Sequence, residues 1–473
     1  MAIKENKRNL LAVLQERYRK THPRSADYFK KTSRFLIDGG SHTLRLFPPF
    51  PFYDKEACGS MIKDLDGFTY IDFWQGHFSN ILGHNSPAVI QELRQSLQKN
   101  QGLITGFPGL HQEKLAELIL SRLPAECIRF TTSGSLASMY AVMLAKAYTG
   151  RRIVLKVGGG WHGAHPYGLK GITTFKKMGL ESLESAGLPE SIEFEVVVSE
   201  FNNIEDLVKK FERFGDEIAC LIVEPFVGAG GFIFADKEYL KKARQLTQRY
   251  KSLLILDEVI SGFRFHAGAL QSNYGIQADL TVLGKVIGGG MPVSAVAGKR
   301  DILELCSREA PADKKVKFEG GTFSAHPLAM KAGIACISHL IENEQTIYPY
   351  LGKLGNLVRS EVEKIFRFYG FKVHCTGNPP SFSLKVNSSM VGIHFLLKDL
   401  VTLNSPQQVF NPEISDYSLR EEIFRFSMLE KGFYVFHGFG AISTAHSEKE
   451  IQHAIDAVEL IAKKWKEMNL SFD

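Results

Sequence analysis

The chain has 473 residues, 44% hydrophobic and 23% charged, with a formal net charge of +6; this is apolar material for a large core, expected as one big domain with a smaller one attached. No apolar run reaches membrane-spanning length and the N-terminus lacks a secretory h-region, so the expected location is the cytosol, without a membrane partner. The positive charge is spread along the chain apart from a basic start (Lys4, Lys7, Arg8, Arg17, Arg19, Lys20, Arg24), and the lack of a dense basic face with interleaved aromatics argues against nucleic acid as a partner.

Residues 1 to about 35 predict helices of mixed charge, with an amphipathic piece from Asn9 to Leu14 followed by Arg17-Tyr18. Glu5 and Glu16 break the acid-poor pattern of a mitochondrial presequence, which favours a surface arm packed on a neighbour. Gly39 to Pro51 is a loop by its Gly and Pro content and carries a lone Arg45, either a structural ion pair or an anion clamp. The alternating stretch Ser60 to Phe73 turns at Asp66-Gly67, a hairpin signature. Helices are expected from Ser86 to Lys99, entered through Pro87, and from His111 to Leu123.

From there strands and helices alternate. Runs rich in branched residues occur at Ile128 to Thr132, Arg152 to Val157, Phe194 to Val198, Ala219 to Glu224, Leu253 to Asp257 and Asp279 to Leu283, separated by helices such as Ile204 to Phe214 and Lys237 to Tyr250. This βαβ rhythm predicts an α/β domain with a mainly parallel sheet covered by helices, its ligands at the carboxyl ends of the strands. After about Thr346 a charged helix (Leu351 to Tyr369), a turn at Gly377-Asn378-Pro379-Pro380, strand-like runs and a last helix (Ser447 to Lys466) predict a smaller C-terminal α+β domain. The expected division is 1–80, an N-terminal arm and small-domain segment; 81–345, the large domain; and 346–473, the small domain. Six cysteines (Cys58, Cys127, Cys220, Cys306, Cys336, Cys375) lie far apart without a Cys-x-x-Cys pair or a His at zinc-ligand spacing, so reduced thiols and no metal site are expected.

Four strand ends carry chemistry. Thr132-Ser133-Gly134-Ser135 opens a helix, where free N–H groups and hydroxyls suit a phosphate or form an ordinary serine cap. Gly158-Gly159-Gly160-Trp161-His162-Gly163 brings an indole and an imidazole to a strand end, to stack on a planar cofactor or to fill core. Asp257 and Glu258 end a very apolar strand; they point in opposite directions, so one of them faces a given ligand. Lys285 ends the next strand, before Gly288-Gly289-Gly290; a desolvated lysine there has a lowered pKa and condenses with a carbonyl. A phosphate cradle, a ring-nitrogen partner, a stacking ring and a Schiff-base lysine together describe pyridoxal phosphate.

With these pieces the sequence resembles the class III, fold-type I pyridoxal-phosphate enzymes, most closely glutamate-1-semialdehyde aminomutase and its relatives, over about residues 35 to 465. The blocks that carry the resemblance are Asp257 to Arg264, Leu283 to Pro292 and Gly321 to Met330. It implies a seven-stranded sheet of the pyridoxal-phosphate transferase type, and Lys285 and Asp257 as the catalytic pair. It further implies Ser133, Gly134 and Ser135 around the phosphate, Trp161 with His162 beside it in place of the usual stacked tyrosine, and Val259 on the other ring face. Thr322 would reach the phosphate of a neighbouring subunit's cofactor, implying a homodimer with active sites at the interface. Arg45 matches an arginine that grips a substrate carboxylate, which favours the anion clamp.

The sequence departs from that family's pattern at Leu136, where a glutamate is usual, at Val227 in the Glu224 to Gly231 block, and around Gly438, where Phe436 to Ala441 lacks the aminomutase's substrate-facing glutamate. A carboxylate-free pocket near Phe436 to Ala441, together with Trp161 and Phe226, favours a substrate with an apolar portion and one carboxylate on Arg45. The expected activity is amino transfer to a separate carbonyl acceptor; an intramolecular aminomutase and an inactive cofactor-binding protein are the alternatives.

Overall fold

The computed structural model describes residues 2–172, 179–379, 384, 386–399 and 402–470. Helices α1 (Ala2–Thr21) and α2 (Pro23–Thr32) lead into an antiparallel meander, β1 (Asp54–Cys58), β2 (Met61–Asp64) and β3 (Thr69–Asp72). Helices α3 (Pro87–Gln98) and α4 (His111–Leu120) follow, then β4 (Cys127–Thr131), α5 (Gly134–Thr149), β5 (Ile153–Val157) and β6 (Val196–Ser199). The alternation continues with α6 (Ile204–Phe214), β7 (Ile218–Val223), α7 (Lys237–Arg249), β8 (Leu253–Glu258), β9 (Leu280–Leu283) and β10 (Ser294–Gly298).

These last strands form one seven-stranded sheet in the order β4-β10-β9-β8-β7-β5-β6. Neighbours pair in parallel except around β10, which runs antiparallel to both β9 and β4. Strands β7, β8 and β9 are buried along their whole length, as a parallel sheet covered on both faces requires. The order of β4 to β9 around the sheet brings the carboxyl ends of β4, β5, β8 and β9 to one edge.

The chain then forms α8 (Pro327–Glu342), α9 (Glu344–Phe368), β11 (Val373–Thr376), β12 (Met390–Phe395), β13 (Phe433–Tyr434), β14 (Gly438–Ala441) and α10 (Glu448–Glu467). β13 pairs in parallel with β3, Phe433 opposite Ile71, so the late chain completes the early meander, while β11, β12 and β14 make a separate antiparallel sheet. Ser447 closes α10 with a capping box to Glu450. Among the described residues, no helix is long and apolar enough to cross a membrane, no group of His, Cys, Asp or Glu is placed to hold a metal, and the six cysteines are free.

The elements differ from the sequence expectation in four places, one of them the run Phe194 to Val198, where Phe194 and Glu195 end a short helical turn and the strand starts at Val196. β10 is Ser-Ala-Val-Ala-Gly, small residues whose place comes from fitting between β4 and the fully buried β9 rather than from β-propensity. α8 is buried on most of its surface and shows no polar stripe, so period alone does not reveal it. α9 starts at Glu344 and runs through Pro349, which is near enough to the helix start that little of the hydrogen-bond ladder is lost.

Asp279, just before β9, ties the sheet edge to its covering helix. Its carboxylate meets Arg244 Nη1 at 2.6 Å and Lys299 Nζ at 2.6 Å and accepts from Leu254 N at 2.8 Å. Burial alone would raise its pKa, but the hydrogen bonds from Arg244, Lys299 and Leu254 outweigh it and the net shift is downward. A depressed folded pKa contributes stability above the unfolded value that is lost as pH falls through the folded one. Asp279→Ala is therefore expected to destabilise by on the order of 2–3 kcal/mol near neutral pH. In urea unfolding the gap between variant and wild type should shrink as pH falls below 3.8, the ordinary aspartate value.

Candidate active site

Each strand end contributes one group to a common cavity of about 170 Å³, whose lining includes Gly134, Ser135, Trp161, His162, Asp257, Val259 and Lys285. After β4, Ser133 is the N-cap of α5; its Oγ accepts from Leu136 N at 3.3 Å. The first N–H groups of α5 face the cavity with the positive end of the helix dipole behind them. Gly134 is needed because a Cβ there would press on the Val259 methyls at 3.2 Å. Gly163 has φ +97, and its Cβ would sit 2.5 Å from Ser135 Cα, so this glycine lets the loop after β5 close on the start of α5.

At the end of β8 the two acids separate as alternation demands. Glu258 turns away and accepts from Ser261 Oγ, Leu270 N, Gln271 N and Gln271 Nε2, a structural acid. Asp257 turns to the cavity, accepting from Val259 N at 3.1 Å and from His162 Nδ1 at 2.8 Å. Burial lowers the His162 pKa, so the ring is neutral and donates Nδ1–H; its Nε2 has no partner among the described residues. Lys285 follows β9 with a left-handed backbone, φ 49, which swings its side chain off the strand line. Burial pulls its pKa down, Arg264 adds to this, and the charges of Asp257 and Glu224 partly restore it.

Glu224, to which no site role is assigned from the sequence, also lines the cavity. Its oxygens accept from Trp161 N at 2.8 Å and Gly228 N at 3.2 Å, and burial, then the Asp257 charge, push its pKa up to about 8. Its place at the end of a buried strand, β7, was the available signal. Ser294 lines the cavity too, but from β10, the strand whose composition hides it.

Three expected site residues are not among those lining this cavity; one is Ser133, whose hydroxyl is turned to Leu136 N as the cap of α5. Thr322 is exposed, in the loop where Gly321 approaches Thr132. Arg45, also exposed, ends a short 3₁₀ turn, and its Nε donates to His77 Nε2 at 3.2 Å. The expected carboxylate-free pocket near Phe436 to Ala441 needs correction. That loop has no acid of its own, but Glu421 from a neighbouring helical turn accepts from His437 Nδ1 at 3.2 Å. Leu136 lies in the first turn of α5, its N–H engaged by the Ser133 cap, and Val227 is a buried strand residue.

A lysine amine and a carboxylate on one small cavity, with a helix N-terminus at its edge, define a site fitted to a carbonyl cofactor carrying a phosphate and a basic ring nitrogen. A model of the Aminotransferase class-III family matches residues 47–367. Glutamate-1-semialdehyde 2,1-aminomutase of Methanobrevibacter smithii is 34% identical over 444 residues, covering 92% of this chain and 97% of that protein. The β-phenylalanine aminotransferase of Variovorax paradoxus superposes with a TM-score of 0.83 at 27% identity, covering 97% and 98%. A transaminase with pyridoxal phosphate bound gives 0.79 at 27%, covering 94% and 98%. The chain belongs to the class III aminotransferases, enzymes of the fold-type I pyridoxal-phosphate group, and its cofactor is pyridoxal phosphate.

Because Gly163 sets the distance between the loop and α5, Gly163→Ala is expected to weaken pyridoxal phosphate binding by at least about tenfold, the effect of losing one or more charge-assisted hydrogen bonds. Fluorescence titration with the cofactor measures it, and an unchanged far-ultraviolet circular dichroism spectrum separates the effect from unfolding.

Proposed function

We propose that the enzyme transfers an amino group between a carboxylate-bearing amine or amino acid and a separate carbonyl acceptor. The observation that carries this reading is the convergence of Lys285, Asp257 and the start of α5 on one cavity. Bound pyridoxal phosphate supplies the electron sink that delocalises a carbanion at the substrate Cα. Lys285 would hold the cofactor covalently, and its amine, once displaced, would take the Cα proton and later return one; burial lowers its pKa, which favours the free base. Asp257 holds a proton at the ring nitrogen, and the Nδ1–H of His162 fixes the carboxylate in that orientation. Ser133, Gly134 and Ser135 would hold the phosphate, Trp161 and Val259 would flank the ring, and Arg45 would bind the substrate carboxylate.

The partner is a second copy of the chain. Leu103, Phe107, Leu110 and Ile37 are each more than three-quarters exposed, apolar surface of the kind a subunit interface covers, and Thr322 would then serve the neighbouring cofactor. The sheet pairing of β3 with β13 supports a small domain built from residues 1–80 and 346–473 around a large domain at 81–345. Free thiols suit a cytosolic location.

The second reading, an intramolecular aminomutase, is favoured by the name of the relative that matches 92% of the chain. The two differ in stoichiometry, since a mutase turns over with one substrate and a transaminase stalls without an acceptor. Lys285→Ala is expected to abolish the visible absorbance band of the lysine-linked cofactor and to slow the half-reaction with β- and α-amino acids by about 10²–10⁴-fold or more. A spectrophotometric half-reaction screen checks both points; a band that survives in the variant removes the lysine assignment.

A further inference from the structure

Between β3 and α3 the backbone enters the left-handed region at Gln75 (φ 44), Gly76 (φ 60), His77 (φ 59) and Phe78 (φ 67). For the three side-chain-bearing residues this costs on the order of 1 kcal/mol or more each. The run persists because its surroundings over-determine it. Asp72 accepts from Trp74 N at 2.8 Å and Gln75 N at 3.0 Å, Gln75 Nε2 donates back to Asp72 O at 2.7 Å, and His84 Nε2 meets Asp72 Oδ2 at 2.7 Å. At the far end the buried Arg264 donates to Phe78 O.

What this strained loop presents is the imidazole of His77. The ring lies 4.2 Å from Trp74 and 4.6 Å from His42, centroid to centroid, and accepts the Nε–H of Arg45. His42, Arg45, Lys285 and His437 are the charged and titratable groups that act on it. Burial first, then these neighbours, push its pKa down to about 3, so it is neutral and carries its proton on Nδ1. A neutral acceptor on Nε has a directional consequence. It fixes the plane of the guanidinium and leaves both terminal Nη groups free to fork a carboxylate.

We propose that His77 is a specificity-determining positioning residue, which acts through Arg45 by aiming its two Nη groups at the carboxylate of the substrate. The inference rests on the carboxylate role of Arg45 given above. It makes the substrate class one of amines bearing a single carboxylate.

The test uses cofactor-loaded protein and 3-phenylpropionate, a carboxylate with no amine, titrated calorimetrically so that no turnover is needed. His77→Phe is expected to weaken binding about 10–100-fold, the range for misdirecting a charge-assisted fork. His77→Gln, whose side-chain oxygen takes the place of Nε2 as acceptor, should stay within about threefold of wild type. Combined with Arg45→Ala, His77→Phe should add nothing, since the two act as a unit. Wild-type affinity in His77→Phe, failure of Gln to rescue, or multiplicative losses in the double variant would each overturn the proposal. If wild-type protein ignores the probe, the clamp and this inference fall together, while the half-reaction screen still decides amino transfer. Retention of the visible cofactor band in every variant keeps misfolding out of the comparison.

Discussion

The whole site depends on the register of three buried parallel strands. β8 pairs with β9 so that Asp257 lies opposite Val282 and Glu258 opposite Leu283, which sets the end of β9 level with the end of β8. Lys285, two residues further on, therefore emerges at the same edge as Asp257. Since side chains alternate along a strand, a slip of one residue would exchange Asp257 for Glu258. That exchange is resisted by the four groups that already bind Glu258 on the opposite face. The structural acid thus holds the functional one in register.

The same edge concentrates charge where water is scarce. Lys285, Asp257, Glu224 and His162 lie on one small cavity, and burial acts in opposite directions on them, lowering the lysine and histidine and raising Glu224. The loop after β5 is rich in glycine and would be loose in isolation. Buried Lys156 stiffens it, donating to Gly160 O at 3.2 Å, Gly168 O at 3.0 Å and Lys170 O at 2.7 Å. Three carbonyls converging on one ammonium fold the loop around a point, with His162 buried on its inner side and Trp161 left 41% exposed at the cavity. Burial draws the Lys156 pKa down to about 7, so the loop's closure costs part of the solvation of that charge.

Much of this could be seen in the sequence, because the cavity groups sit at strand ends and the strands announce themselves by branched apolar runs. Lys285, Asp257, Trp161, His162, Gly134 and Ser135 stand out that way, and the structure places them on one cavity. What stayed hidden lacks such a signature. Ser294 rides on a strand of small residues, whose place comes from the space left between β4 and β9. His77 lies in a loop whose conformation is set by Asp72, His84 and Arg264 from three separate parts of the chain. No local pattern encodes that, just as none in Phe436 to Ala441 foretells that Glu421 stands behind it.

Glu421 bears on which amino transfer the site favours. Burial alone would raise its pKa, but Arg420 and His437 bring it down to about 2, so it is ionised. Its charge is taken up by those same groups, with Arg420 2.7 Å and His437 3.2 Å away. The imidazole and the rings of Phe78, Phe232 and Phe436 packed around it cover this carboxylate, and a substrate group brought to this wall would meet them instead of an open anion. Passing an amino group between neighbouring carbons of one molecule requires a species with two amines, and a second ammonium would gain no unopposed anion here. An apolar side chain loses nothing by resting on the same rings, so the wall favours a partner whose single amine leaves with the cofactor.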